Sequence, residues 1–177
     1  MRIYIPVLLS TLRDVVRDRT VTPRGGIVFA VTADLRAEYP DADDEELEYL
    51  AMSDAATACL RLLASAGPAE PPLRVVIAAD VPEVTPASDR DRAAATIAGD
   101  VPWRSIAAVH LDDREAADVV RAAAQVVDQA DLGDNDAEFA VGSAQDIDLS
   151  WYAPSEVAYL MEFDELEDAE RPAPGES

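Results

Sequence analysis

One carboxylate, that of Glu48, is out of place among the 36 acidic residues of this 177-residue chain. On a helical wheel of residues 43–66 it falls inside the apolar arc. An unpaired buried charge is unfavourable, so Glu48 must pair with a cation, hold a proton or line a cleft. Arg74 and Arg104, at the starts of two predicted strands, are the candidate partners. The sequence leaves open a structural ion pair, a side chain that snorkels to solvent, and an acid in a cleft with a shifted pKa.

The single histidine, His110, ends a predicted strand, and strand ends are where α/β sheets place binding sites. With no second histidine nearby, the sequence allows either a structural role or a role in catalysis or ligation. Trp151 and Tyr152 form an adjacent aromatic pair in the last predicted strand. We expect this pair to pack in the core, and a partner-binding surface is the alternative.

The remaining polar residues match no known catalytic or cofactor pattern. Neither acid-rich stretch, 41–46 or 131–138, places a glycine at the sharp turn and a later bidentate acid at the spacing that a calcium loop requires. One cysteine and one histidine are too few for a zinc site built from Cys and His ligands. The chain also lacks a dinucleotide fingerprint, a phosphate-binding loop and a nucleophile elbow. The sequence therefore predicts no metal site and no cofactor.

The composition favours some partners and excludes others. Lys+Arg is 14 and Asp+Glu is 36, which gives a formal net charge of −22, and every basic residue is an arginine. This charge disfavours nucleic acid and anionic membranes and favours a basic protein partner. No apolar run is long enough to span a bilayer, and the opening apolar stretch is too short for a signal peptide. Together with one unpaired cysteine, this predicts a cytoplasmic protein.

Hydrophobic periodicity predicts strands alternating with helices. The inner elements are predicted over residues 27–32, 43–66, 73–81, 104–111, 113–130 and 149–153, and Asp112 is expected to cap the helix over 113–130. Their strand–helix–strand–strand–helix–strand order is ferredoxin-like. We therefore predict an α+β fold with a single mixed sheet, in which an extra N-terminal strand and helix lie at one edge. A three-layer α/β sandwich is the alternative.

Composition also predicts the domain boundaries. Residues 1–161 should form one globular domain, because 49% of the chain is hydrophobic and that is sufficient for a core. Residues 162–177 are rich in acids and then in proline and glycine, so we expect an acidic, disordered C-terminal tail.

Several segments carry a resemblance to a known family. They are MRIYIP at 1–6, DDEELEY at 43–49, LRLLA at 60–64, RVVIAADVP at 74–82 and WYA at 151–153. Together they resemble an uncharacterised family of short acidic actinobacterial proteins, a domain of unknown function, over roughly residues 1–160. The resemblance implies an actinobacterial, cytoplasmic setting. It supplies no reaction and no active site.

Two functional hypotheses follow. The first is a non-enzymatic regulatory or protein-interaction domain that presents an acidic surface to a basic partner and forms a homodimer through its sheet or last helix. The second is a small enzyme or ligand binder with a cleft around Glu48, His110 and an arginine. The net charge supports the first hypothesis, and the inward-pointing acid and the strand-end histidine support the second.

Overall fold

The computed structural model describes the backbone of residues 1–87 and 89–170, and the side chains of residues 1–87 and 89–162. The strands are β1 (Arg2–Val7), β2 (Thr20–Val21), β3 (Ile27–Ala30), β4 (Val75–Asp80), β5 (Thr85–Pro86), β6 (Ala94–Thr96), β7 (Val101–Pro102), β8 (Ile106–Leu111) and β9 (Ser150–Tyr152). The helices are α1 (Leu9–Asp18), α2 (Ala33–Glu38), α3 (Asp44–Ala64), α4 (Ala117–Asp131), α5 (Asn135–Gln145) and α6 (Pro154–Glu170).

The main sheet has seven strands in the order β5-β6-β3-β1-β4-β8-β9, and β2 pairs with β7 in a separate ribbon. The α+β class is thereby confirmed. Two finer predictions are wrong. Every pairing is antiparallel, so the sheet is not mixed. The N-terminal strand lies between β3 and β4 rather than at an edge, so the strand order is not ferredoxin-like.

The interior position of β1 follows from its residues. Ile3 and Ile5 are buried on one face of the sheet and Tyr4 on the other, and only an interior strand covered on both faces buries both sets. Pro6, which has no N–H, is unusual in a central strand. The β3 ladder pairs with β1 only through Ile3 and Tyr4 and stops before Pro6, so that side of the strand does not need the missing donor.

Helices cover both faces of the sheet, as the three-layer alternative anticipates. One core cluster joins β1, β3, β4 and β8 to α1 and α6, and a second joins the opposite face to α2 and α3. A third cluster packs α3 against α4 and α5. The central helix α3 is therefore covered by the sheet on one side and by two helices on another.

The predicted helix over 43–66 is present as α3. Asp43 accepts a hydrogen bond from the backbone N–H of Glu46, and the Glu46 carboxylate accepts one from the N–H of Asp43, which forms a capping box. Farther along, the Cys59 thiol donates to the Val75 carbonyl at 3.0 Å. Burial raises the pKa of this thiol to about 12.

Some predicted boundaries change. Residues 82–102, which lie between two predicted strands and to which no element was assigned, contain β5, β6 and β7. Helix α6 extends to Glu170, into the segment 162–177 assigned to the tail, and residues 171–177 lie outside the described part of the chain. Within residues 1–87 and 89–170, no helix combines the length and the apolar composition required to cross a membrane.

A buried ion pair joins the start of β4 to the end of β8. Arg74 and Asp112 have side chains only 2% and 0% exposed, and the guanidinium donates to both carboxylate oxygens at 2.7 and 2.8 Å. The backbone N–H of Arg74 also donates to Asp112, and the guanidinium donates to the Ile147 carbonyl. Asp112 is therefore not the predicted helix cap. The chain instead makes a short 3-10 turn, Arg114–Ala116, before α4 begins.

We expect Arg74→Met to lower the free energy of unfolding by about 3–5 kcal/mol, because it leaves the Asp112 carboxylate buried without a cation. Arg61→Met is the matched control, because Arg61 also donates two hydrogen bonds to a carboxylate, that of Asp131. In this pair the Arg61 and Asp131 side chains are 47% and 45% exposed. The free energy of unfolding of this control variant should fall by only about 0–1 kcal/mol. Urea unfolding measures the stability of both variants. Equal losses of stability would contradict the stronger contribution of the buried pair.

Candidate functional site

Glu48 is half-buried on α3, and its partner is neither Arg74 nor Arg104. Burial, together with the charge of the Glu48 carboxylate and its hydrogen bond, raises the pKa of Tyr4 to about 12. Arg2 lies within electrostatic range of both side chains and pairs with Asp80 at 2.8 Å. The Arg74 guanidinium is paired with the Asp112 carboxylate. Arg104 is exposed on the 3-10 turn that precedes β8.

The structure places His110 on the same face of the sheet as Tyr4. Its neighbours in register are Val76 on one side and Trp151 on the other. Burial, and then the charge of Arg2, lower the pKa of His110. Arg2, which the sequence did not single out, is thus the arginine that interacts electrostatically with both Glu48 and His110.

The two aromatic residues of β9 have different environments. Tyr152 is half-buried and packs against the core cluster that contains α1 and α6. Trp151, on the opposite face of this edge strand, is 60% exposed. Core packing is therefore correct for Tyr152 and wrong for Trp151.

The largest cavity described is an open groove of about 790 Å³ between the end of α2 and the first turns of α3. Glu38, Tyr39, Pro40, Asp41, Ala42, Glu45, Glu46, Tyr49 and Leu50 line it. Both tyrosines are exposed, Tyr39 by 42% and Tyr49 by 53%. We call this cavity the tyrosine groove. No local sequence pattern indicates this groove, because its two tyrosines come from separate segments.

The electrostatics of the tyrosine groove are dominated by carboxylates. Four acids and no basic residue line it. The N-terminus of α3 contributes a partial positive charge equivalent to about +0.5, which the acids of the first helical turn outweigh. The groove can therefore accept a cation, while its aromatic rings offer faces for stacking.

A second cavity of about 400 Å³ adjoins the groove and shares Glu38, Tyr39 and Leu50 with it. Asp54 and Asp91 both line this cavity and are hydrogen-bonded to each other. Burial, followed by the charge and hydrogen bond of Asp91 and the charge of Glu38, raises the pKa of Asp54 to about 7. Asp54 therefore retains its proton to a higher pH than an ordinary aspartate does, beside the Asp91 carboxylate.

On a helical wheel of residues 43–66, Asp54 falls on the polar side of α3, where solvent exposure is expected. The covering residues Arg90, Asp91 and Arg92 come from the segment between β5 and β6. That segment is held near β6, because the Arg92 guanidinium pairs with Glu38 and the Arg92 carbonyl accepts a hydrogen bond from the Thr32 hydroxyl. No helical or strand periodicity in this loop indicated the contact. Among the described side chains, no three His, Cys, Asp or Glu residues form a group that could hold a metal ion.

We expect Asp54→Asn to flatten the pH dependence of stability. The folded-state pKa lies above the ordinary 3.8, so the folded chain binds the extra proton between these values and loses stability as pH rises through about 7. At about pH 8 the free energy of unfolding of the variant should exceed that of the wild type by about 1 kcal/mol, a figure discounted for the partial exposure of Asp54. At about pH 4 the variant should not be more stable than the wild type. Urea unfolding at both pH values measures this. Parallel curves for the two proteins would refute the raised pKa of Asp54, and Asp128→Asn on the exposed face of α4 is the control.

We also expect Tyr4 and Glu48 to be energetically coupled. Tyr4→Phe removes the hydroxyl donor, and Glu48→Gln removes the charge that accepts from it. A double-mutant cycle measured by urea unfolding should give a coupling of about 0.5–1.5 kcal/mol. Additive effects would mean that Glu48 points to solvent independently of Tyr4.

Comparison with known proteins identifies the family and no activity. No curated protein and no solved structure matches the chain. The sequence model of a family of unknown function matches residues 1–161, which covers most of the chain and confirms the resemblance to an uncharacterised family. The chain belongs to this family of unknown function, DUF6912.

Proposed function

We propose that the chain is a protein-interaction domain that binds a basic segment of a partner protein in the tyrosine groove. The observation that carries the proposal is the composition of the groove, in which two exposed tyrosines and a proline lie among four carboxylates with no basic residue. A guanidinium or ammonium group between a tyrosine ring and a carboxylate gains cation–π attraction and a charge-assisted hydrogen bond. This role requires no catalytic residue.

The charge of the whole molecule supports the same kind of partner. A net charge of −22 attracts cationic surfaces over distances up to about the Debye length, roughly 8 Å at physiological salt, and raises the rate of encounter. Charge alone does not select one site on such a molecule. The aromatic rings of the tyrosine groove supply the local specificity that a diffuse acidic surface lacks.

The shape of the groove favours a segment of protein over a small molecule. Small-molecule sites enclose about 70–90% of their ligand, whereas this groove is open along its length. It runs from the end of α2 across the connecting residues to the first turns of α3. A short basic segment could lay two or three side chains along it.

The alternative of a cleft around Glu48, His110 and an arginine has less support. Glu48 contacts Tyr4, and neither Glu48 nor His110 lines any of the five cavities described. The reduced, buried Cys59 is consistent with a cytoplasmic location for the interaction domain.

The test is the binding of a fluorescently labelled peptide of alternating arginine and glycine, followed by fluorescence anisotropy. Wild type should bind it and should not bind the matching glutamate–glycine peptide. We expect Tyr49→Ala and Glu45→Arg each to weaken binding by at least about fivefold, because each removes one half of the aromatic–carboxylate pair.

The matched control for Glu45→Arg is Glu138→Arg on α5. Both residues are exposed glutamates in the first turn of a helix, and both substitutions change the net charge equally. Glu138→Arg should change binding by less than about twofold, as expected for a charge outside the site. Equal effects of the two reversals, or no binding by wild type, would refute a specific site in the groove.

A further inference from the structure

On another side of α3 a smaller pocket of about 300 Å³ lies between the second half of the helix and the turn that leads into β3. Its apolar wall consists of Pro6, Ile27, Phe29 and Leu62, with the small Ala58 among them. Arg24, Gly25 and Arg61 complete the lining. We call it the arginine-rimmed pocket.

The charge of this pocket is opposite to that of its surroundings. Each of the other four cavities described has at least one acidic residue in its wall, whereas this wall has two arginines and no acid. Arg61 donates to Asp131 through Nε and Nη2, so the two N–H donors on its Nη1 remain available to a ligand. Arg24 forms no ion pair with any residue in the described part of the chain. An unneutralised guanidinium beside an apolar cavity is therefore available in a protein that otherwise repels anions.

The backbone turn that carries Arg24 is held in place. Gly25 and Gly26 have φ of 64° and 70°, in the left-handed region that favours glycine. A Cβ on Gly26 would lie 2.8 Å from the Ile97 carbonyl oxygen, and the Ile97 N–H donates to the Gly26 carbonyl at 2.9 Å. The close approach to the segment after β6 fixes the turn, so Arg24 projects from a well-defined position at the rim.

We propose that the arginine-rimmed pocket binds a small amphipathic carboxylate, whose hydrocarbon chain fills the apolar cavity while its carboxylate pairs with Arg24 and the free donors of Arg61. Guanidinium groups bind carboxylates through paired charge-assisted hydrogen bonds. A volume of about 300 Å³ is at the lower end of small-molecule sites, which suits a medium-length chain rather than a long lipid. This proposal is independent of the tyrosine groove.

Octanoate is the probe, with 1-octanol as its uncharged counterpart and butyrate as its short counterpart. Isothermal titration calorimetry should show octanoate binding at least about tenfold more tightly than either, because octanol lacks the charge and butyrate lacks apolar area. In 1H–15N NMR spectra, octanoate should shift the amide signals of Gly25 and Gly26 and leave that of Tyr49 in place.

The variants separate the contributions of charge and cavity. Arg24→Gln should weaken octanoate binding by at least about fivefold, and Ala58→Phe, which fills the cavity, should abolish it. Arg104→Gln is the control, because Arg104 is also an exposed arginine with no ion pair to a described residue, and it should bind like wild type. Thermal unfolding shows whether each variant is folded.

Three outcomes would overturn the proposal. The first is equal binding of octanoate and octanol, and the second is an Arg24→Gln variant that binds like wild type. The third is tighter binding of an N-acetylated tripeptide that ends in leucine, which would assign the pocket to the C-terminus of a protein instead. Binding of the arginine peptide to the tyrosine groove is measured separately, so either proposal can fail alone.

Discussion

The buried pair of Arg74 and Asp112 is the constraint on which the rest of the fold depends. Two full charges in a dry interior are tolerable only while each neutralises the other, so the start of β4 and the end of β8 must stay in register. The third donor bond, to the Ile147 carbonyl, ties the segment before β9 to the same point. One guanidinium thus fixes three stretches of chain that are distant in sequence. Cys59 bonds to the adjacent Val75 carbonyl and connects α3 to this junction.

Helix α3 organises the charge of the molecular surface as well as the core. Its first turns contribute carboxylates and Tyr49 to the acidic groove, and its second half contributes Ala58, Arg61 and Leu62 to the arginine-rimmed pocket. The two proposed sites therefore have opposite electrostatic preferences although they share one rigid element. A site built on a buried helix keeps its geometry better than a site built on loops alone.

Much of this framework could be predicted from local sequence patterns. The apolar periodicity of α3, its acid-rich first turn and the inward direction of Glu48 all depend on spacing within one segment. The central position of β1 was not predicted, although the absence of charge after Arg2 in that strand is typical of an interior strand. Strand β3 is also uncharged and also lies inside the sheet.

Contacts between distant segments could not be predicted in this way. Asp112 and Glu115 have the spacing of a capping box. The Asp112 carboxylate nevertheless pairs with Arg74, which lies 38 positions earlier in the chain. Asp54 looks solvated on a helical wheel, because nothing periodic in the sequence shows that Asp91 will cover it. For Asp112 the buried cation outweighs an N-cap preference of about 1 kcal/mol, and for Asp54 the covering loop removes the exposure that the helical spacing indicates.

The environment of Cys59 has a practical consequence. Its thiol is buried and held by a backbone carbonyl, and its pKa is raised far above physiological pH, so it supplies almost no thiolate for alkylation or oxidation. It is also the only cysteine in the chain. Cys59 should therefore not react with maleimides. A cysteine introduced at the surface can carry a spectroscopic label while Cys59 stays in place.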